Sequence, residues 1–306
     1  MVRVAAVQLT AVPVDIDANL AACERLATAA VRDGAEIVAL PEFFTTGIAF
    51  DDRLPAAALP PDGVATKLLC DLAARHDILV GGSFLCRDRD GHVRNAYLLA
   101  GPDGILGRHD KDLPTMWENS FYIGGTDDGV LTAPGYRIGV ALCWELMRTQ
   151  TAHRLRGRVD LVLAGSGWWS IPAWRPAPLF RLMEARNKAT AQTAAISFAR
   201  YVGAPAVHAA HAGPLDCPTP WFPLRYRGHF EGSTAITDAH GHVIAQRHHS
   251  QGEGYVIGDI VPGAQPPQQQ PPNRFWLHRR GTLPALAWTY QRTHGRRWYA
   301  RHGGTR

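Results

Sequence analysis

Lysine is nearly missing from this chain. Lys67, Lys111 and Lys188 stand against 29 arginines. No apolar run approaches the roughly 20 residues that a membrane-spanning helix needs, so no membrane partner is expected. The five cysteines (Cys23, Cys70, Cys86, Cys143 and Cys217) are odd in number, widely spaced and free of any Cys-x-x-Cys pair. That argues against a disulfide framework and for a reducing compartment. Acidic residues are absent from Gln265 to Arg306, where eight arginines carry +8, so the net charge of +5 leaves −3 on the first 264 residues. The basic character therefore belongs to the tail, and no nucleic-acid partner is inferred from it. The opening MVRVAAVQLT lacks a long apolar core and reads as a strand with Val2, Val4 and Ala6 on one face. A cytoplasmic protein is expected.

What is present is a long alternation of strand-like and helical stretches. A chain of 306 residues with 46% hydrophobic and 19% charged residues has the length and composition of one large α/β domain. Strands are expected at 2–9, 36–40, 78–85, 94–100, 104–109, 136–142, 160–164, 194–200, 233–237, 242–247 and 254–260. Helices are expected at about 17–33, 63–75, 145–157 and 177–192. Several strands pair as hairpins, which favours a mixed pair of sheets over a doubly wound sheet. The turns in GPDGILGRHD (101–110) and TDAHGHVIAQRHH (237–249) are alike and hint at two similar halves. The catalytic body is expected to span 1–264. In 265–306, a Pro/Gln-rich linker leads to a tail whose Phe275, Trp276, Trp288, Tyr290, Trp298 and Tyr299 are costly to leave in water. This tail is expected to pack on its own body or on a neighbouring subunit.

Three segments carry the chemistry. AEIVALPE ends on Glu42, GILGRHDK on Lys111 and YRIGVALC on Cys143, each an ionisable group at the exit of an apolar run. Strand ends are where open α/β sheets build sites. A thiol needs a base to become a nucleophile, and its reaction needs a cation where negative charge develops. Glu42, partly desolvated, suits the base. Lys111 suits the cation, since a point charge in an arginine-preferring chain is wanted for something other than a fork. Glu118 sits among Met116, Trp117, Phe121 and Tyr122 and needs a partner there. It reads either as a brace for Lys111 or as the capping acid of a turn after Pro114.

In this order and spacing the motifs resemble the nitrilase superfamily of carbon–nitrogen hydrolases. ALPEFFTTG is similar to its glutamate segment, RHDKDLPTMWENSFYIGG to its lysine segment, and YRIGVALCWELMR to its cysteine segment. The resemblance runs from VRVAAVQLT to about VIGDIVP. It implies a four-layer α-β-β-α sandwich, a Glu42–Lys111–Cys143 triad with Glu118 in support, and an oxyanion shared by Lys111 and the Trp144 N–H. It also implies no cofactor or metal, and a homodimer or larger homo-oligomer. Trp117, Phe121, Trp144, Trp168 and Trp169 lie in or beside the motifs and are candidate walls for an apolar or aromatic small-molecule substrate; packing alone is as good an account of each. Arg148 is expected to pair with Glu145 rather than bind a substrate carboxylate. The run Cys143-Trp144-Glu145 and the spacing Lys111-x-x-Pro114-Thr115-x-x-Glu118 resemble the nitrilase branch. PEFFTTG and LMEARNKATA resemble amidases, and LMRTQTAHR lacks the proline of the nitrilase pattern. Amide hydrolysis is the preferred expectation and nitrile hydrolysis the alternative.

Three rival readings remain at this stage. His208-Ala-Ala-His211 and His248-His249 lack a third ligand at fixed spacing, which makes a metal centre a poor reading. No histidine motif ties to Cys143, against a cysteine–histidine peptidase. A non-catalytic binding protein using the basic tail would have little use for Glu42, Lys111, Glu118 and Cys143 together.

Overall fold

The computed structural model describes residues 1–219, 222–278 and 282–302. The first half of the body runs β1 (Val2–Leu9), α1 (Ile16–Arg32), β2 (Ile37–Ala39), α2 (Val64–His76), β3 (Leu79–Arg87), β4 (Val93–Gly101) and β5 (Gly104–Asp110). The second runs β6 (Val130–Ala133), β7 (Tyr136–Leu142), α3 (Thr149–Leu155), β8 (Leu161–Ser166), α4 (Ala177–Val202) and β9 (Ala206–His211). A separate hairpin, β10 (Pro214–Thr219) and β11 (Phe222–His229), precedes β12 (Gly232–Thr237), β13 (Val243–His248), β14 (Gly254–Ile260) and the tail helix α5 (Thr282–His302).

Two six-stranded sheets with matching patterns result. The first is ordered β14-β1-β2-β3-β4-β5: antiparallel at the first pair, parallel at the next two, antiparallel at the last two. The second, β6-β7-β8-β9-β12-β13, repeats that sequence of pairings. In this match the hairpin β4–β5 corresponds to β12–β13, the two similar turns noted in the sequence. Among the described residues, the sheets join where Gln8 and Leu9 of β1 run beside Ala210 and His211 of β9.

The layers follow from strand alternation. Val4, Ala6, Ile37 and Ala39 face Ile138, Val140, Leu161, Leu163, Val207 and Ala209 of the other sheet across a shared core. Ala5, Val7, Val38, Leu40 and Val80 face outward onto α1 and α2. Ala141, Val162, Ala164 and Ala206 face α3 and α4. The fold is thus the α-β-β-α sandwich expected for the chain.

Some local expectations need correction. Residues 194–200 are not a strand but the end of α4: Ala191, Ala194, Ala195, Phe198, Ala199 and Val202 are its buried positions, at helical spacing that a short apolar run conceals. The stretch 145–157 is broken at Arg148, whose extended backbone (φ −100°, ψ 130°) separates a 3-10 turn over Cys143–Met147 from α3. β6, β9, β10 and β11 were not anticipated, nor was helix in the tail. The tail lies on its own body. Trp288 and Tyr299 are buried, the Tyr299 hydroxyl accepts from the Val93 N–H at 3.0 Å, and a Cβ on Gly295 would meet Asn119 Cβ at 2.8 Å. No helix among the described residues is long and apolar enough to cross a membrane.

Candidate active site

The three segments end near one another, and two of them turn there through a left-handed residue. β2 gives way to Leu40-Pro41-Glu42, and Phe43 takes φ +53°. β5 gives way to Lys111, whose N–H donates to Asn95 O at 3.0 Å. β7 gives way to Cys143, itself at φ +52°. Non-glycine residues in the left-handed region hold strain that the surrounding structure must maintain. Close backbone approach fixes the turns. A Cβ on Gly165, at the end of β8, would lie 2.6 Å from Glu42 N, and one on Gly125 would lie 2.5 Å from Asp110 O.

The side chains converge. Lys111 Nζ lies 2.8 Å from Glu42 Oε1 and 2.8 Å from Glu118 Oε2, and Lys111 and Glu42 are fully buried. Asn95 Nδ2 donates to Glu42 Oε1 at 2.9 Å, and the Gly167 N–H donates to Glu42 Oε2 at 3.1 Å. His211 Nε2 holds the Glu42 carbonyl at 2.6 Å. Glu118 Oε2 also accepts from the Thr115 N–H at 2.8 Å and from the Tyr122 hydroxyl. Both expected roles of Glu118, turn cap and lysine partner, therefore meet in one oxygen.

Electrostatics set the resting state. Burial, then repulsion from Glu118, pushes Glu42 up to about 7 against the pull of Lys111. Burial alone would lower Lys111, but Glu118 and Glu42 outweigh it and hold the ammonium well above its ordinary range. Burial and the charge of Glu42 push the Cys143 thiol well up, while Lys111 and the Gly167 N–H pull it down. The thiol is thus held protonated, in the field of a carboxyl that burial has raised to about 7.

The five candidate wall aromatics fall into two groups. Trp117 packs with Phe121 (5.7 Å between centroids) and Trp169 (4.8 Å). Trp144 packs with Trp168 (6.4 Å) and stacks on Trp288 of the tail at 5.3 Å and 13°. The indoles of Trp168 and Trp169 are anchored on Asn187 Oδ1 and Ile48 O.

A second ionic cluster supports the cysteine turn. Glu145 accepts from Leu142 N at 2.8 Å, from Asp112 N at 3.0 Å and from His109 Nε2 at 3.0 Å. It pins the residue before Cys143 to the residue after Lys111. The expected Arg148–Glu145 pair does not form. Arg148, leaving the turn in extended conformation, binds Asp112 and Gln150 and lies 4.9 Å over the Phe275 ring, so it is not free for a substrate carboxylate either. His208 and His211 are core residues: three apart on β9, they face opposite ways, His208 bonding Ser166 Oγ at 2.8 Å and His211 the Glu42 carbonyl. Burial lowers both to about 4.

Sequence reasoning missed Asn95, His109 and Gly167. The first two had a signal: each is a polar residue that is buried within a strand, in VRNAYLLA and GILGRHD. Gly167 acts through its backbone and leaves none.

Comparison with known proteins agrees with this geometry. The carbon-nitrogen hydrolase family profile matches residues 3–265. Over 162 residues the chain is 30% identical to a nitrilase of Pyrococcus abyssi, covering 51% of this chain and 60% of the relative. Over 153 residues it is 33% identical to the omega-amidase YafV of Yersinia enterocolitica, covering 49% and 57%. The chain thus spans somewhat over half the length of these relatives. Its fold superposes with a TM-score of 0.66 on a CN-hydrolase superfamily protein of Xanthomonas campestris, at 22% identity, covering 84% of this chain and 90% of that one. With its sandwich and its buried carboxylate, ammonium and thiol, the chain belongs to the carbon-nitrogen hydrolase family.

Proposed function

We propose that the protein hydrolyses a non-peptide carbon–nitrogen bond, a small-molecule amide giving a carboxylic acid and ammonia or an amine. The observation that carries this is Lys111 Nζ at 2.8 Å from both Glu42 and Glu118 in a site that also buries the Cys143 thiol. Glu42 takes the thiol proton. The sulfur attacks the carbonyl carbon, and the Lys111 ammonium and the Trp144 N–H stabilise the oxyanion. The carbon–nitrogen bond breaks as Glu42 returns the proton to the leaving nitrogen, which leaves a thioester on Cys143. Glu42 then deprotonates a water that attacks the thioester; the thiol recovers its proton and the acid departs. The aromatic residues Trp117, Phe121 and Trp169 favour substrates with an apolar or aromatic acyl part.

A second reading is nitrile hydrolysis, favoured by Cys143-Trp144-Glu145 and by the nitrilase among the relatives. It uses the same sulfur and consumes two waters by way of a thioimidate. Incubation with matched amides and nitriles, with ammonia release and intact mass recorded, separates the two. Ammonia from amides with an acyl adduct on Cys143 supports the first reading. Turnover of nitriles only supports the second. Absence of both adduct and ammonia across the panel, with wild-type protein indistinguishable from Cys143→Ala, overturns both.

A further inference from the structure

Outside the catalytic cluster, three side chains among the described residues bring possible metal-ligand atoms together. Glu184 of α4, His229 at the end of β11 and Glu231 just beyond it each offer a ligand atom, all within 4.8 Å of one another. Glu231 is 2% exposed. One of its oxygens, Oε1, accepts from Asn187 Nδ2 at 2.9 Å. The other, Oε2, is buried with no hydrogen-bond partner, as is His229 Nε2. These two atoms are 3.7 Å apart, beyond hydrogen-bond range. A buried carboxylate oxygen that has an imidazole at loose ion-pair distance but no hydrogen bond is costly. Two ligands on one tetrahedral cation with bonds near 2.1 Å lie about 3.4 Å apart, so a small closure of this gap would place a cation between them.

We propose that Glu184, His229 and Glu231 bind a divalent transition-metal cation, with Zn²⁺ as the probe. One imidazole and two carboxylates form a mixed N/O donor set of the kind such cations take. The cation's role is structural. The Glu231 N–H donates to Trp168 O at 2.8 Å. Asn187 Nδ2 donates to Trp169 O at 2.9 Å. Glu184 Oε2 accepts from the Ile171 N–H at 2.5 Å. Every one of these bonds ties the segment 168–171 to α4 or to Glu231, between β11 and β12, and that segment begins directly after Gly167, the donor to Glu42. The ion would clip this wall of the site in place without touching the reacting atoms.

The test is titration of chelator-stripped full-length protein with ZnCl₂ by calorimetry, with Co²⁺ absorption as a second readout. One site per chain is expected in wild type, weakened at least 100-fold in Glu231→Gln and in His229→Ala and unchanged in His248→Ala. Glu184 is only half-buried, so Glu184→Gln serves as the ligand variant least prone to misfold, and circular dichroism checks each variant. Absence of a site tighter than millimolar in wild type overturns the proposal. So does equal affinity in wild type and folded Glu184→Gln, which would assign the bound zinc to other histidines.

Discussion

Lys111 and Asp112 are neighbours in the chain but belong to different buried ionic clusters. Around Lys111 a single ammonium serves two carboxylates, Glu42 and Glu118, beside a thiol. Around Asp112 three acids (Asp112, Asp127, Glu145) meet three cations (His109, Arg148, Arg154). The residue types are alike, each cluster holds one carboxyl raised by burial, and the balance of charge around it differs. In the first cluster burial lifts Glu42 to about 7. In the second, burial alone would raise Glu145, but His109 and Arg154 hold it well below the ordinary carboxylate range; burial beside that charge pushes Asp112 up to about 7, so Glu145 is the firmly ionised member. One cluster is short of positive charge and is poised to move a proton. The other is matched and fixes backbone.

Removing a cation from each side tests that contrast most severely. Lys111→Met leaves two buried carboxylates facing each other, and a stability loss of about 3–5 kcal/mol is expected from breaking such a pair, together with loss of turnover. Arg154→Met leaves His109 and Arg148 in place, and a loss of only about 1–3 kcal/mol is expected. Urea unfolding of both variants decides it. Equal losses would contradict the difference drawn between the clusters. Adding Glu118→Gln to Lys111→Met should recover part of the stability and none of the activity.

Next in size is the effect on rate of removing the base. Glu42→Gln is expected to lower turnover by about 10²–10⁴, the range for a positioned general base. In wild type, kcat/KM should rise with pH through about 7, because the base acts when ionised; the value belongs to the coupled cluster rather than to one residue. A flat profile from pH 5.5 to 8.5 would remove Glu42 from the role.

The second cluster has its own pH signature. Burial alone would lower His109, but Glu145 and Asp127 outweigh it and raise it from 6.5 to about 10. A group whose folded value is raised contributes stability that is complete below its unfolded value and lost as pH rises through the folded one. This contribution is therefore full below about 6.5 and disappears toward 10. Thermal unfolding of wild type should decline across that window, and the decline should flatten in His109→Gln. Equal slopes in the two proteins would mean that His109 is neutral in the fold.

The contrast between the clusters also separates what could be read in the sequence from what could not. Glu42 and Cys143 each follow an apolar run and Lys111 follows the strand GILGRHD, so strand exit and chemistry coincide in the text of the chain. Their convergence follows the same logic. The pairing of Arg148 was misread because sequence proximity suggested Glu145, whereas the break at Arg148 sends the guanidinium to Asp112. The end of α4 was misread because TAAISFAR satisfies strand and helix alike over so short a span. β10 and β11 lie outside both sheets, and Pro214, Pro218 and Pro223 within them argue against strand in the sequence. Gly167 contributes a backbone N–H, which no residue type announces.

The smallest expected effect tests how far the tail enters the catalytic cluster. Trp288 stacks on Trp144, and Trp276 meets both edge-on, at 5.5 and 5.1 Å. Aromatic pairs of this kind contribute about 0.5–1.5 kcal/mol beyond their buried area. Trp288→Ala should therefore loosen the ring of Trp144, the residue directly after Cys143. The turn itself should survive, because Glu145 holds the Leu142 N–H and the Asp112 N–H independently of the tail. KM is expected to rise several-fold while kcat stays within about threefold, since loss of a contact made equally in ground and transition states changes KM alone. A fall in kcat comparable to that of Glu42→Gln would show instead that the stacked rings hold the nucleophile, and that the boundary between a reacting centre and a passive covering has been drawn one residue too close to Cys143.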